Sequence, residues 1–153
     1  MKSDVLRIAA MLHDVGKIGI PDVILKKPAK LTDEEYEVMK THTSLGADLF
    51  INIFNEVDQM SRDVAVCHHE RWDGKGYPRG LAGENIPLAG RIVAIADVYD
   101  ALMSKRVYKS AWDEEDVIKY LREQAGNQFD PELIDIFISV YDIIKAIRNR
   151  YSE

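Results

Sequence analysis

Apolar residues recur at intervals of three and four along most of the chain, which is the spacing of one face of an α-helix. Six stretches carry this spacing, namely residues 5–13, 32–49, 58–67, 88–102, 113–126 and 130–147. No convincing alternation of apolar and polar residues marks a strand, and there is no repeat or low-complexity tract. The sequence therefore predicts an all-α fold, a bundle of about six helices.

Polar residues at the starts of these stretches are typical of helix N-caps. Thr32 with Glu35 forms a capping box, and Asp130 followed by Pro131 is a strong start signal. Asp113 is expected to start the helix over residues 113–126. The third helix could begin at either Asp58 or Ser61. These residues set the expected boundaries of the helical frame.

Two connecting segments are rich in glycine and proline. Residues 17–31 are expected to form an irregular, packed loop. Residues 71–87 are predicted to form a longer loop, and loops of that length in compact domains are usually functional or disordered. Trp72 and Tyr77 within the second segment favour order.

The bulk composition narrows the class of protein. A chain of 153 residues with 46% hydrophobic and 30% charged residues is expected to form a single globular domain over residues 1–153. A net charge of −6 argues against binding a nucleic-acid polymer, although a small anionic ligand stays compatible. The single Cys67, the lack of a membrane-spanning apolar run and the charged N-terminus predict a cytoplasmic protein.

The candidate chemistry lies in the four histidines and in two carboxylates within otherwise apolar helical stretches. These residues are His13, Asp14, His42, His68, His69 and Asp97. Imidazole and carboxylate ligands suit iron, manganese or zinc, and the absence of cysteine ligands argues against a structural zinc site. Asp14 could bridge two cations, a pair of which can promote displacement at phosphorus, with Lys17 placed to offset phosphoryl charge.

Simpler interpretations of the same histidines remain open at this level. A single inward histidine such as His42, on the stripe with Tyr36 and Met39, is more often a hydrogen-bonded core residue. Neighbouring side chains on a helix diverge by about 100°, so His68 and His69 could serve one site only with two metals or at a helix end. All the histidines falling at helix ends or inward faces favours a metal site.

Several ordered motifs make the sequence resemble a known family. They are His13-Asp14 with Gly16-Lys17-Ile18-Gly19-Ile20-Pro21-Asp22, then His68-His69-Glu70, Asp73-Gly74-x-Gly76-Tyr77-Pro78 and Asp97-Val98-Tyr99-Asp100-Ala101-Leu102. From about Leu6 to Phe137 the chain resembles the HD-GYP family, a branch of the HD-domain metal-dependent phosphohydrolases. The resemblance implies hydrolysis of the bacterial second messenger cyclic di-GMP to pGpG and/or GMP at two or three divalent metals, with iron or manganese most favoured.

On matching positions the resemblance also implies the role of each residue. The implied metal ligands are His13, Asp14, His42, His68, His69 and Asp97. Lys17 would contact the scissile phosphate and, with Asp14, form the catalytic pair. The implied contacts to guanine or phosphate groups are Tyr77, Asp100, Arg106 and Lys109.

The chain departs from the family pattern at its start. Family members carry an earlier helix with a further histidine and, in trinuclear members, a glutamate, whereas residues 1–12 contain neither. The chain is expected either to be a fragment of a regulator with an upstream sensor or receiver domain, or to be a naturally short member. The second case favours an impaired module that senses cyclic di-GMP or binds a diguanylate cyclase, and an HD hydrolase acting on another nucleotide is a weaker alternative. Loss of the helix also predicts a homodimer through the exposed apolar face.

Overall fold

The computed structural model describes residues 2–104 and 112–151. These residues form nine α-helices: α1 (Ser3–Met11), α2 (Asp22–Leu25), α3 (Asp33–Lys40), α4 (His42–Asp48), α5 (Glu56–Cys67), α6 (Leu88–Met103), α7 (Glu114–Glu123), α8 (Pro131–Ser139) and α9 (Tyr141–Tyr151). Two 3-10 helices, Val15–Gly19 and Gly83–Asn85, lie between them. No strand is present within the described ranges, so the prediction of an all-α fold is confirmed.

Nine helices in these ranges exceed the six or so that the sequence predicts. Two expected helices are each divided, the first between Lys40 and His42 and the last at Val140. At each break a hydroxyl donates to the carbonyl three residues earlier: Thr41 to Val38 (2.6 Å) and Ser139 to Ile136 (2.7 Å). Such bonds compete with the helical ladder and bend or end it.

The remaining differences concern where elements begin. The 17–31 segment contains the single turn of α2 rather than only irregular loop. The third helix begins at Glu56, because Asn55 is its N-cap and accepts from the backbone N–H groups of Val57 and Asp58. Asp58 and Ser61 are therefore not the start of that helix.

Two predicted caps form as expected. The Thr32 capping box is complete, with Glu35 accepting from the Thr32 backbone N–H at 2.8 Å. The Asp130 side chain accepts from the first backbone N–H groups of α8 and also forms an ion pair with Arg91 at 2.6 Å. Short polar side chains thus fix the starts of α3 and α8.

The core of the described residues has three parts, of which two share α6 and the third joins α4 to α5 through Ala47, Val66 and Cys67, with Ile86. Small residues pack α1, α5 and α6 together through Ala9, Val64, Ala89 and Val93. A larger cluster joins α6 to α7 and α8 through Ile95, Tyr99, Val117, Leu121, Phe129 and Ile134. The first part packs α1 and α5 against α6, and the candidate site lies where α1 and α5 end.

One glycine contact places the first motif against α4. A Cβ atom on Gly16 would lie 1.9 Å from the carbonyl oxygen of His42 and 2.4 Å from the backbone nitrogen of Gly46. No side chain fits in that space, so the 3-10 helix that carries Lys17 packs directly on the backbone of α4. This contact sets the separation between Asp14 and His42.

The long loop between α5 and α6 is ordered, as Trp72 and Tyr77 suggest. Its first residues bond to the turn before α8: the Trp72 backbone N–H donates to Gln128 O (3.1 Å) and that of Asp73 to Asn127 O (2.8 Å). Farther along, the Tyr77 backbone N–H donates to His69 O at 3.2 Å. The loop therefore folds back over the end of α5.

Candidate metal centre

Three imidazoles each follow the end of a helix and bond to a carbonyl of its last turn. His13 bonds to Ala10 O (2.6 Å), His42 to Met39 O (2.7 Å), and His68 to Val64 O and Ala65 O (3.0 Å each), always through Nδ1. The last carbonyls of a helix lack partners within it, and an imidazole one turn farther on supplies one. Sequence and local structure thus agree, since the helix end fixes the direction of each ring.

These bonds also decide which ring nitrogen carries the proton. A carbonyl oxygen can only accept, so Nδ1 donates and Nε2 of each neutral ring is left as an acceptor. His42 Nε2 lies 3.3 Å from His68 Nε2, and Asp14 Oδ1 lies 3.3 Å from the former and 3.7 Å from the latter. Three acceptors therefore converge on one small volume.

Asp14 Oδ1 is buried and has no hydrogen-bond donor. A buried acceptor without a donor costs free energy, and a cation between the three acceptors would relieve that cost. His42 and His68 are 1% and 2% exposed, so bulk water does not easily solvate them. The residues present fit a divalent metal by the chemistry of their donor atoms.

His69 completes this group. Its ligand atom and those of Asp14, His42 and His68 all lie within 4.8 Å of one another. Burial, reinforced by the neighbouring His68 and His42, lowers the pKa of His69 to about 3, which keeps the ring neutral. α5 ends at Cys67, and this end of the helix allows the adjacent His68 and His69 to face the same site.

A second group of candidate ligand atoms lies near the other carboxylate oxygen of Asp14. His13 Nε2 is 3.3 Å from Asp14 Oδ2 and 3.8 Å from Asp97 Oδ1. Asp14 thus directs one oxygen toward His42 and His68 and the other toward His13. The hydrogen bond with Asp14 raises the pKa of His13 despite partial burial.

The Asp14 carboxyl is held strongly in its charged form. Burial alone would raise its pKa, but contacts with His13, His42, His68 and Lys17 outweigh burial and keep the pKa well below its usual range. The Lys17 ammonium bonds to Asp14 Oδ2 at 2.5 Å and is 41% exposed. Lys17 therefore lies at the solvent-facing edge of the cluster.

The other candidate residues lie around this cluster. The Tyr77 ring stacks on His69, with ring centroids 4.9 Å apart. Asp100 is exposed on α6, three residues after Asp97. Arg106 and Lys109 lie outside the described residues.

Glu70 is a further candidate, to which sequence reasoning assigned no role of its own. Its side chain is buried, and its two carboxylate oxygens accept from the backbone N–H groups of Arg79 (2.7 Å) and Leu81 (3.0 Å). Gly76 allows the loop to close tightly, because a Cβ atom there would lie 2.4 Å from Arg71 N. A charged residue between a helix end and a glycine-rich loop was the available signal, since such a carboxylate can bind free backbone donors.

Comparison with protein families identifies the family of the chain. The family model described as HD domain matches residues 2–133. The chain belongs to the HD domain family. This membership confirms the resemblance inferred from the sequence motifs. Among the described residues, no helix of this HD domain has both the length and the apolar character that crossing a membrane requires.

Relatives with known functions are cyclic-dinucleotide phosphodiesterases by name. The cyclic di-GMP phosphodiesterase response regulator RpfG of Xanthomonas campestris is 50% identical over 148 residues, which are 97% of this chain and 39% of the relative. The 3'3'-cGAMP-specific phosphodiesterase 2 of Vibrio cholerae is 43% identical over 147 residues, 96% of this chain and 28% of the relative. A cyclic di-GMP phosphodiesterase of Thermotoga maritima is 43% identical over 145 residues, which are 95% of this chain and 39% of the relative. This HD domain therefore spans well under half the length of each.

A solved structure shows the same fold. The crystal structure of a cyclic GMP-AMP specific phosphodiesterase of Vibrio cholerae (V-cGAP3) matches with a TM-score of 0.63. The match covers 90% of this chain and 38% of that chain at 20% sequence identity. At that identity the likeness concerns the fold alone.

Proposed function

We propose that this HD domain is a metal-dependent phosphodiesterase that hydrolyses cyclic di-GMP to pGpG and/or GMP. The observation that carries the proposal is the convergence of acceptor atoms from Asp14, His42 and His68 without a proton between them. The identity to relatives named cyclic di-GMP phosphodiesterases supports the choice of substrate.

Two neighbouring cation sites follow from the two groups of donor atoms. His13, Asp14 and Asp97 would hold one cation; Asp14, His42, His68 and His69 would hold the other, with Asp14 shared. Iron or manganese suits these oxygen and nitrogen donors, and the proposal allows a third cation. When bound, such cations supply Lewis-acid activation of water and neutralise charge at phosphorus.

The residues of the chain itself would orient and neutralise the substrate. Lys17 lies at the open edge of Asp14, where its ammonium would offset negative charge on a phosphoryl oxygen. Tyr77, held against His69, would contact the substrate beside that phosphate. We also propose substrate contacts for Asp100, Arg106 and Lys109 on the basis of the family resemblance.

The place of the domain in a larger regulator is likewise a proposal. One relative is named a response regulator, and the matched region covers 39% of that relative. We propose that an upstream receiver or sensor domain controls access to the site in the full-length protein.

An activity assay with metal analysis tests the proposed function. The chain is purified without oxygen, loaded with Fe²⁺ or Mn²⁺ and incubated with cyclic di-GMP, and products are separated by chromatography. We expect pGpG or GMP in proportion to bound metal, and neither product from Asp14→Asn. Asp135→Asn, which changes an exposed carboxylate on α8, is the matched control and should retain full activity.

Metal-loaded protein that forms neither product would overturn the proposal. Calorimetric binding of cyclic di-GMP without turnover would identify a sensing module instead of an enzyme.

A further inference from the structure

The six candidate metal ligands are called the ligand cluster below: His13, Asp14, His42, His68, His69 and Asp97. A pocket of about 280 Å³ opens beside this cluster, between the long loop and α6. Its wall includes Tyr36 from α3, His69 and Tyr77 on one side, and Lys75, Val98 and Gln128 on the others. A ligand that placed a phosphate at the cluster could therefore extend a neighbouring group into this space.

Tyr36 and Tyr77 give the pocket an aromatic side. Their ring centroids are 6.4 Å apart and the rings are nearly perpendicular, at 81°. Tyr77 is fixed by its stacking on His69, whereas Tyr36 is 47% exposed, contrary to the inward position that the helical stripe predicts. An exposed ring at the mouth of a pocket offers a flat apolar surface to a planar ligand.

Most cations near the pocket already have an acidic partner. Arg71 forms a two-bond pair with Asp73 (3.1 and 2.8 Å), and Lys40 bonds to Glu37 at 2.5 Å. Lys75 has no ion-pair partner within residues 2–104 and 112–151, while its backbone N–H donates to Asp73 Oδ1 at 3.0 Å. The turn is thus fixed and the Lys75 ammonium remains available as a donor at the pocket wall.

An aromatic surface beside a donor-only cation matches the chemistry of guanine. Guanine presents two acceptors, O6 and N7, on one edge, whereas adenine presents a donating amino group in place of O6. A lysine ammonium only donates, so it complements the guanine edge and not the adenine amino group.

We infer that Tyr36 and Lys75 bind one guanine base of the cyclic dinucleotide, an inference that rests on the proposed function. Tyr36 contacts the face or edge of the purine ring. Lys75 donates to O6, an acceptor that adenine lacks, and so makes the pocket prefer guanine over adenine. The two residues therefore recognise the base, and the histidine and aspartate cluster acts on the phosphate.

Steady-state kinetics with three substrates test this assignment. Wild type, Lys75→Met and Tyr36→Leu are compared on cyclic di-GMP, cyclic di-AMP and bis(p-nitrophenyl) phosphate, which has no base. We expect Lys75→Met to raise KM for cyclic di-GMP about tenfold, since a charged hydrogen bond is lost, and to leave KM or Ki for cyclic di-AMP unchanged. Tyr36→Leu should raise the KM for cyclic di-GMP and the KM or Ki for cyclic di-AMP about tenfold each. Tyr36→Phe, which keeps the aromatic ring, should change neither.

Bound metal and the rate on bis(p-nitrophenyl) phosphate should stay at wild-type values in these variants. Lys26→Met, which changes an exposed lysine paired with Asp22 on α2, is the matched control and should alter none of the three reactions. Lys75→Met that affects both dinucleotides equally, or neither, would overturn the guanine assignment. Unchanged KM values for Tyr36→Leu would overturn its role in binding.

The same data separate this inference from the function on which it rests. Wild type that cleaves bis(p-nitrophenyl) phosphate but no cyclic dinucleotide would refute the proposed function. Wild type that cleaves cyclic di-GMP while the Tyr36 and Lys75 variants behave identically to it would refute only the base-binding assignment.

Discussion

The ligand cluster and the loop beside it are held by opposite arrangements of side chain and backbone. In the cluster, backbone carbonyls at helix ends accept from the imidazoles of His13, His42 and His68. In the loop, side-chain carboxylates of Glu70 and Asp73 accept from backbone N–H groups. The backbone orients side chains in one region, and side chains orient the backbone in the other.

Because the two regions are held differently, metal binding and substrate binding should depend on different residues. The position of the proposed metal ligands follows from the helix ends and depends little on the loop. The position of Tyr77 and Lys75 follows from the loop and depends on carboxylates that are not proposed ligands. Substitutions in the two regions should therefore affect different measurements, metal content in one and substrate affinity in the other.

Asp14→Asn should have the largest effect, because Asp14 faces both groups of ligand atoms. The amide is uncharged and presents one oxygen instead of two, so it cannot link both groups. We expect loss of both cations and a fall in phosphodiesterase activity of about a thousandfold. Elemental analysis with an activity assay checks this, and normal metal content would contradict the central place given to Asp14.

His13→Ala should have a smaller effect on metal content. The group formed by Asp14, His42, His68 and His69 stays intact in that variant, so about half of the bound metal should remain. The side chain is 23% exposed, and the free energy of unfolding of the metal-free protein should fall by no more than about 1 kcal/mol. Elemental analysis and urea unfolding test both parts, and unchanged metal content would show that His13 is not a ligand.

Glu70→Gln should leave metal content unchanged and weaken substrate binding. One oxygen becomes an NH₂ group that faces a backbone N–H, which leaves a buried donor without an acceptor and costs about 1–3 kcal/mol of stability. We expect a lower free energy of unfolding, faster proteolysis of the loop and a KM for cyclic di-GMP raised about tenfold. Glu84→Gln, an exposed change in the same loop, is the control. Reduced metal content in Glu70→Gln would break the separation between the two regions.

Thr32→Ala should have the smallest effect. It removes one side of the capping box at the start of α3 and should lower stability by about 1 kcal/mol. Metal content and activity should not change, because the Thr32 side chain bonds only to the Glu35 backbone N–H and contacts none of the proposed metal ligands. A loss of activity without a loss of stability would contradict a purely structural role for Thr32.

Much of the cluster was accessible from the sequence. The sequence motifs contain residues that the structure brings together, namely His13, Asp14, His68, His69 and Asp97. Sequence reasoning also allowed His68 and His69 to serve one site if a helix ended beside them, and α5 does end at Cys67. Assignment of these residues as ligands remains a prediction.

Contacts between distant parts of the backbone were not accessible. The carboxylate of Glu70 bonds to residues nine and eleven positions later, and no local pattern specifies that loop path. Likewise, helical periodicity could not show that Thr41 ends α3, since its hydroxyl competes with the ladder only by a specific rotamer. Tyr36 on α3 is exposed, whereas continuous periodicity predicts that it faces inward with His42.

The contact of Gly16 with the backbone of α4 has a consequence for protein engineering. Because main chain touches main chain there, the distance between Asp14 and His42 is set without any intervening side chain that could be enlarged or trimmed. Repacking the apolar interior for heat resistance should thus leave the spacing of these two proposed ligands intact, so stability and the proposed chemistry can be optimised independently in this scaffold.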